Sequence, residues 1–348
     1  MHTEFFLGAN SGSGFYSLYG EFCKDKGDIL YLIKAGPGGG KSGFMRHMGL
    51  EAERRGFDTE YILCSGDPAS LDGVYIPALH LGFADATSPH VIEPAVFGVD
   101  SYYVNLGQFC SVSDNELIRQ YTGKYKEMYS AAYSYLSAAA SVHGCEIPEL
   151  IGKTEKERAK RRALGTVKRE LKGAKSDGKI TKRFISCISC AGDIVLNDTV
   201  LELCKLIYAL DDRFGLEQTY LNEVYAYCRE RGIAAVVCPS PLCPDELDAV
   251  LVPEKGIAFI RLSMCGEHKP YRHVRLDALI PSERIRARKA EIRQREKLFS
   301  SAADAAHFYL SEAKRYHDML EKEYKPLVDF ERLNRFRDEF VRELFSFR

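Results

Sequence analysis

The sequence predicts an α/β fold built from two related halves, each followed by a helical appendage. Three observations support this prediction. An apolar run at 29–33 leads through a glycine-rich turn into a helix-compatible segment at 43–55. The chain also matches itself without gaps when it is shifted by 176 residues. Finally, apolar residues recur at helical spacing after each of the two matching regions, as expected for a repeated α/β unit.

Length, charge and cysteine content limit the classes of protein to consider. The 348 residues suffice for two domains of ordinary size. With 48 basic and 49 acidic residues, the chain has no overall positive charge that would attract nucleic acid or a membrane surface. The first residues resemble no signal peptide, and no apolar run reaches about 18 residues, so we expect no membrane association. The 11 cysteines lack the spacing of a disulfide framework. We therefore expect a cytoplasmic protein with reduced thiols.

The glycine-rich turn carries the most specific motif in the chain. Residues 35–42 read Ala-Gly-Pro-Gly-Gly-Gly-Lys-Ser, which fits the phosphate-binding loop (P-loop, Walker A) pattern between a strand and a helix. Glycines with positive φ let successive N–H groups face an anion, and the following helix adds the positive end of its dipole. The residues expected to bind a nucleoside triphosphate are Gly36, Pro37, Gly38, Gly39, Gly40, Lys41, Ser42 and Gly43.

Two side chains of this motif, with one distant acid, are expected to carry the chemistry. Lys41 would reach the β- and γ-phosphates, and the hydroxyl of Ser42 would hold Mg²⁺. P-loop enzymes also need an acid at the end of a core strand, and Asp85 follows the apolar run 79–84. We predict Lys41 and Asp85 as catalytic residues, and Ser42 and Asp85 as metal ligands, with Asp67 as the alternative acid.

The internal match indicates a second, altered copy of the first half. Residues 68–77 align with 244–253 at five identical positions. In the same register Lys41 aligns with Glu217, and a carboxylate at that position would repel a triphosphate. The match therefore predicts two tandem P-loop NTPase-like domains. The second is a degenerate, pseudo-NTPase domain that serves as a regulatory or docking half.

The same register ranks the other candidate residues. Asp85 aligns with Arg261, so the second half lacks this acid as well as the lysine at position 41. Asp85 is therefore a good candidate for the partner of Lys41. Asp72 is retained in the second half, which favours a role in a turn or a helix cap. His90 and Glu93 are both replaced, and they either position water or the γ-phosphate or brace a loop.

Helical periodicity follows each matching region. Apolar and aromatic residues at helical spacing predict helices over 114–140, 303–320 and 330–345, with a packed tyrosine seam in the first. The predicted boundaries are a P-loop domain at 1–112, a helical insert and basic linker at 113–180, a degenerate domain at 181–281, and a C-terminal helical segment at 282–348.

Two segments of the chain are strongly basic. Residues 153–183 contain 13 basic and four acidic residues, and 284–297 form a second basic helix interleaved with glutamate. Such runs are usually solvated helix faces. The alternative is contact with a partner, either the phosphate backbone of a nucleic acid or a protein.

The motifs give the chain a resemblance to a family of bacterial proteins with tandem P-loop domains, which are labelled ATPase or nucleotide-binding protein. The resemblance rests on the loop at 34–42 and on the segments 65–73, 85–94 and 104–107. It implies ATP binding and names no substrate. Members of that family often carry an intact loop in both halves, and this chain departs from the pattern in its second half.

The resulting expectation is Mg²⁺-dependent binding and hydrolysis of a nucleoside triphosphate at a single site. ATP is favoured over GTP, because the sequence has no guanine-type Asn-Lys-x-Asp motif. One alternative is a non-hydrolysing ATP-binding switch that contacts nucleic acid through the basic segments. Another is a phosphotransferase acting on a small molecule or nucleotide, although residues 86–106 contain none of the arginines expected of its lid.

Overall fold

A computed structural model describes residues 1–88, 92–93, 96, 98–111 and 114–346. Within these residues the strands are β1 (His2–Phe6), β2 (Gly8–Ser11), β3 (Gly14–Ser17), β4 (Ile29–Lys34), β5 (Thr59–Leu63), β6 (Leu71–Ile76), β7 (Leu81–Asp85), β8 (Ser101–Asn105), β9 (Ile180–Lys182), β10 (Ser186–Ser189), β11 (Gly192–Val195), β12 (Leu206–Asp211), β13 (Ala235–Pro239), β14 (Leu247–Val252), β15 (Ile257–Arg261) and β16 (Arg272–Arg275). The helices are α1 (Lys41–Arg54), α2 (Glu116–His143), α3 (Lys153–Glu170), α4 (Asn197–Leu203), α5 (Leu216–Glu230), α6 (Ser282–Ala287), α7 (Lys289–Tyr324) and α8 (Phe330–Ser346).

Two mixed sheets of six strands each form the centre of the molecule, so the α/β class predicted from the sequence is confirmed for the described residues. The first sheet has the order β1-β5-β6-β7-β4-β8, and the second has the order β9-β13-β14-β15-β12-β16. β6 and β14 run antiparallel to both of their neighbours. All other pairs within these two sheets are parallel. Strands β1–β8 with α1 are called the first half below, and β9–β16 with α4 and α5 the second half.

Corresponding strands of the two halves lie at nearly constant separations along the chain. β5 and β13, β6 and β14, and β7 and β15 each begin 176 residues apart. β4 and β12, however, begin 177 residues apart, at Ile29 and Leu206. Ile29 pairs with Leu81, the first residue of β7, and Leu206 pairs with Ile257, the first residue of β15. The ungapped register of 176 is therefore wrong along β12. The connection from β12 to α5 has four residues, 212–215, whereas the connection from β4 to α1 has six, 35–40.

The two halves share a buried core. Phe6 and Phe184 exchange both backbone hydrogen bonds at 2.9 Å, which joins the end of β1 to the segment that precedes β10. Both phenylalanine side chains are fully buried in the larger apolar cluster, which draws residues from both sheets. A smaller cluster packs α3 and α5 against the other face of the second sheet.

Long helices α2 and α7 pack along each other. The predicted tyrosine seam lies between them, where the ring of Tyr125 is 5.0 Å from Tyr129 and 5.5 Å from His317. The predicted helices over 284–297 and 303–320 are joined in the structure, because α7 runs without a break from Lys289 to Tyr324, and only the start of the basic segment belongs to the short helix α6. No helix within the described residues is long and apolar enough to cross a membrane.

Candidate functional site

The glycine-rich loop (35–40) connects the carboxyl end of β4 to the first turn of α1. β4 lies between two parallel neighbours, β7 and β8, and the carboxyl ends of such strands are where open α/β sheets bind ligands. Gly38 and Gly40 have φ of 64° and 84°, a left-handed conformation that other residues rarely adopt. A Cβ on Gly39 would lie 2.9 Å from the carbonyl oxygen of Gly36. The backbone path of this loop therefore requires glycine at 38, 39 and 40.

Lys41 is the first residue of α1 and turns back over the loop. Its Nζ donates hydrogen bonds to the carbonyl oxygens of Ala35 at 3.0 Å and Gly36 at 3.2 Å. The same ammonium lies 3.5 Å from Oδ2 of Asp85, and the two side chains are only 14% and 11% exposed. The structure thus brings together the two residues that the sequence proposes as catalytic.

Asp85 is the last residue of β7 and pairs in register with Ile33 of β4, beside the glycine-rich loop. Its Oδ1 accepts hydrogen bonds from the amide of Thr87 at 2.8 Å and from the Thr87 hydroxyl at 2.5 Å. Burial raises the pKa of Asp85 above its ordinary value, while the Lys41 ammonium acts in the opposite direction. The carboxylate is therefore held in one orientation next to the lysine.

The remaining residues of the predicted site lie in the loop or in the first turn of α1. The Oγ of Ser42 accepts a hydrogen bond from the amide of Leu71 at 2.9 Å, which leaves a lone pair and the hydroxyl proton for a ligand. Pro37 is partly exposed in the loop, and Gly43 is exposed on α1 with open space where a Cβ would stand.

Asp67, the alternative acid, makes its side-chain contacts outside the glycine-rich loop. It follows β5, which is separated from β4 by β6 and β7. Its Oδ2 lies 3.4 Å from Nζ of Lys314 on α7, and its Oδ1 accepts from the amide of Ala69 at 3.3 Å. The contact with Lys314 ties Asp67 to α7.

Asp72 is not in a turn or a helix cap, and that prediction is wrong. It lies in β6 and is buried, with 4% of its surface exposed. Burial is the main cause of the raised pKa values of Asp85 and Tyr19, and the negative charge of Asp72 raises both pKa values further. Asp72 therefore lies near enough to Asp85 to influence its charge. An acidic residue within the apolar strand 71–76 was the signal that sequence reasoning missed.

Of the two flanking candidates, His90 lies outside the described residues. Glu93 is exposed, and its carboxylate lies 3.9 Å from Nζ of Lys34 and accepts a hydrogen bond from the Tyr103 hydroxyl. Lys34 also donates to the carbonyl of Ala86 at 2.6 Å, next to Asp85. Glu93 therefore connects Lys34 of β4 with Tyr103 of β8 at the edge of the site.

The C-terminal helices cover the outer side of the glycine-rich loop, a contact that the sequence did not predict. A Cβ on Gly36 would lie 3.4 Å from the Tyr324 ring, and one on Gly38 would lie 3.4 Å from the Glu321 carbonyl. At Gly40 a Cβ would lie 3.1 Å from Leu333 of α8. The ends of α7 and α8 thus help to hold the loop in place.

The second half places a charge-reversed pair at the corresponding positions. Glu217, on the first turn of α5, forms an ion pair with Arg261 at 2.7 Å, and Arg261 also contacts Asp248 at 3.0 Å. Gln218 accepts from the amide of Leu247 at 2.8 Å, as Ser42 accepts from Leu71 in the first half. These contacts support the alignment of Lys41 with Glu217 on the helix.

The connection that precedes α5 (212–215) supplies its own anion. The carboxylate of Asp212 accepts hydrogen bonds from the amides of Phe214 at 3.2 Å, Gly215 at 2.9 Å and Glu217 at 2.9 Å. Burial and the neighbouring Glu217 raise the pKa of Asp212 to about 6. Gly215, with φ of 99°, has the left-handed conformation before α5. The register of 176 aligns Gly40 with Leu216, but Leu216 is already the first residue of α5.

The charge-reversed pair lines a cavity of about 800 Å³ between the second half, the end of α2 and the first turns of α7. Among the described residues, no group of three or more His, Cys, Asp or Glu is arranged to hold a metal ion. Comparisons with protein-family models, with curated proteins and with solved structures each found no match.

Proposed function

We propose that the chain binds one nucleoside triphosphate, preferably ATP, at the glycine-rich loop and hydrolyses it with Mg²⁺. The observation that carries this proposal is the Lys41–Asp85 pair at 3.5 Å. The pair stands at the carboxyl ends of adjacent parallel strands, directly beside a loop with left-handed glycines. Lysine, acid, glycine loop and helix N-terminus are the parts that phosphoryl-transfer sites of the P-loop type use.

Binding would use groups that the loop already presents. The first amides of α1 have no partner within the helix and attract anionic oxygens, as does the positive end of the helix dipole. The ammonium of Lys41 would exchange the carbonyl oxygens of Ala35 and Gly36 for phosphate oxygens, which are stronger partners because they are charged.

The donor set fits a magnesium ion. Ser42 keeps an oxygen lone pair, and Asp85 offers a buried carboxylate held by Thr87. Mg²⁺ in such sites commonly takes one or two protein oxygens and completes its shell with phosphate oxygens and water. When bound, Mg²⁺ would neutralise charge on the β- and γ-phosphates.

Hydrolysis requires groups that stabilise the negative charge of the transferred γ-phosphoryl group and a site that is closed on its sides. Lys41 would stabilise negative charge on the γ-phosphoryl group as it is transferred to water, while Asp85 keeps its position through Thr87. Glu93 and Lys34 close the β8 side of the site. Tyr324 and Leu333 limit loop movement from the other side.

The two halves are best explained as duplicated P-loop NTPase-like domains, of which only the first keeps its nucleotide chemistry. Identical strand orders and the nearly constant separations along the chain support the duplication. In the second half Glu217 replaces the lysine, and Asp212 occupies the amides that would face a phosphate. We therefore propose a pseudo-NTPase role for the second half, as a regulator or docking partner.

Calorimetric titration and phosphate release together test the proposal. ATP, GTP, ADP and GDP are titrated with Mg²⁺, and we expect one site per chain, tightest for ATP, with phosphate released slowly. Lys41→Ala should abolish binding, whereas the exposed control Lys26→Ala should leave it unchanged. If Lys41→Ala binds ATP as tightly as the parent protein, the site assignment fails.

The turnover measurement separates the three activities that remain. Phosphate release supports hydrolysis. Binding without release supports the ATP-binding switch, and transfer of the γ-phosphate to an added small molecule or nucleotide supports the phosphotransferase. A stoichiometry of two nucleotides per chain would contradict the pseudo-NTPase role of the second half.

A further inference from the structure

The two basic segments of the sequence meet on one surface of the protein. The first segment forms α3, and the second begins in α6. Glu155 of α3 and Arg284 of α6 form an ion pair at 3.3 Å, although they are far apart in the sequence. Helix α3 itself packs on α5, at the outside of the second half.

Strand β16 extends this surface along the other end of α3. The guanidinium of Arg162 donates to the backbone carbonyl of Arg275 at 2.8 Å, which holds β16 beside the middle of the helix. Arg272, at the start of β16, is close enough to Glu170 to contribute to lowering the pKa of that carboxyl. The arginines of β16 therefore lie alongside those of α3.

Six exposed basic side chains on this surface form what we call the basic strip. Its members are Arg158, Arg161, Arg162, Lys168, Arg272 and Arg275. Within the part of the chain that the structure describes, none of the six forms an ion pair, in contrast to Arg169, which pairs with Glu170 at 2.6 Å, and Arg284. Apart from the influence of Glu170 on Arg272, the positive charge of the strip is not paired with an acid among the described residues.

The spacing along α3 suits a linear polyanion. Arg158, Arg161, Arg162 and Lys168 lie on neighbouring faces of the helix and span about 15 Å. Gly165, between Arg162 and Lys168, has open space where a Cβ would stand, so a ligand backbone can approach the helix closely there. Because the whole chain has a net charge of −1, this local excess of positive charge is compensated elsewhere on the molecule.

The chemistry of the strip favours a nucleic acid over a lipid surface. A helix that lies in a membrane interface needs an exposed apolar face. The apolar residues of α3, Ala159, Ala163 and Val167, are instead buried against the second half. The exposed aromatic residue at the end of the strip is Tyr271, 52% exposed, with the Arg272 guanidinium 5.6 Å from its ring. Such an aromatic residue can stack on an unpaired base.

We propose that the basic strip binds the phosphodiester backbone of a nucleic acid. Six phosphate contacts predict a salt dependence of log K against log[salt] with a slope of about −5 for a duplex, or about −4 for a single strand. Affinity for a duplex should therefore fall about 10³-fold between about 50 and about 200 mM salt. This proposal is independent of nucleotide binding at the glycine-rich loop.

The test is fluorescence anisotropy with labelled duplex DNA, single-stranded DNA, duplex RNA and single-stranded RNA, on the full chain without nucleotide. The combined variant R158Q/R161Q/K168Q should reduce the magnitude of the slope by about 2 to 3. A matched control, K24Q/K26Q/K126Q, removes the same charge from exposed lysines elsewhere and should bind like the parent protein. Comparison of the four probes shows which nucleic acid is preferred.

Three results would overturn the proposal. One is no binding to any of the four probes at about 50 mM salt, where non-specific contacts are strongest. Another is an equal loss of affinity in the control variant, which would show that net charge alone decides binding. The third is binding to anionic lipid vesicles with no binding to nucleic acid. Because no nucleotide is present, none of these results bears on ATP binding.

Discussion

Glu217 and Arg261 form an ion pair at 2.7 Å at the positions where Lys41 and Asp85 lie 3.5 Å apart in the first half. In each half the pair joins the first turn of a helix to the end of the adjacent strand. Exchange of the two charges preserves the attraction between the partners, since that attraction depends on the product of their charges. It reverses the effect on a phosphate, because the residue on the helix now carries negative charge.

Removal of Arg261 should destabilise the second half strongly. Arg261→Ala leaves Glu217 and Asp248 buried without their cation, and breaking a buried pair in this way typically costs about 3–5 kcal/mol. Chemical denaturation measures the change in the free energy of unfolding. Arg158→Ala is the control, and as an exposed residue without an ion pair it should cost less than about 0.5 kcal/mol. A loss below about 1 kcal/mol for Arg261→Ala would contradict the prediction.

Giving the second half the charges of the first half should not create a nucleotide site there. Glu217→Lys alone places an ammonium beside Arg261 and should destabilise the protein, and adding Arg261→Asp should recover part of that loss. The double variant still has Asp212 on the amides before α5, so its stoichiometry for ATP should remain one per chain. Calorimetry checks this, and a second nucleotide bound by the double variant would refute the explanation.

Replacement of Asp85 should separate hydrolysis from folding. Asp85→Asn keeps the shape of the side chain and removes a charge that burial already disfavours. The Lys41 ammonium keeps its hydrogen bonds to the carbonyl oxygens of Ala35 and Gly36, so the free energy of unfolding should change by less than about 1 kcal/mol. Phosphate release should fall by about 10²- to 10³-fold, the usual effect of losing one electrostatic group of an active site. Asp67→Asn is the matched comparison, and a larger loss of turnover in Asp67→Asn would transfer the role to that residue.

The left-handed glycine before α1 should tolerate no side chain. Gly40→Ala forces φ near 84° on an alanine and brings its Cβ within 3.1 Å of Leu333. We expect a loss of about 1–2 kcal/mol in stability. In Gly43→Ala the new methyl group enters open space on a helix, where alanine is favoured over glycine by up to about 1 kcal/mol. Thermal unfolding of both variants gives the comparison, and equal effects would contradict the assigned loop conformation.

Asp212 should make a pH-dependent contribution to stability. Its pKa is about 6 in the folded protein against an ordinary 3.8, so the folded state holds the proton more tightly than the unfolded state. The contribution is therefore present below about pH 4 and is lost as the pH rises through 6. In Asp212→Asn the side chain does not titrate, so the stability of this variant does not fall as the pH rises through 6. Its free energy of unfolding relative to the parent protein should rise by about 2 kcal/mol between about pH 4.5 and about pH 7.5. An unchanged difference across that range would show that the pKa is not raised.

Local patterns predicted the parts of the molecule that depend on neighbours in the sequence. The glycine-rich turn between an apolar strand and a helix is such a part, because glycine spacing and helix signals are local. The acid at the end of β7 was placed by its strand and by comparison of the two halves. Helix α7 was predicted as two separate helices, since its first turns are mostly charged and its later turns carry the apolar period.

Residue patterns along the chain established the α/β class, the strand–loop–helix unit at 29–54 and the altered charge at Glu217. Only the folded chain shows that Lys41 lies beside Asp85, that Asp72 is buried near them, and that the two basic segments form one surface. These relations join residues that are distant in the chain. Their formation depends on strand order and helix packing, which no local pattern of residues specifies.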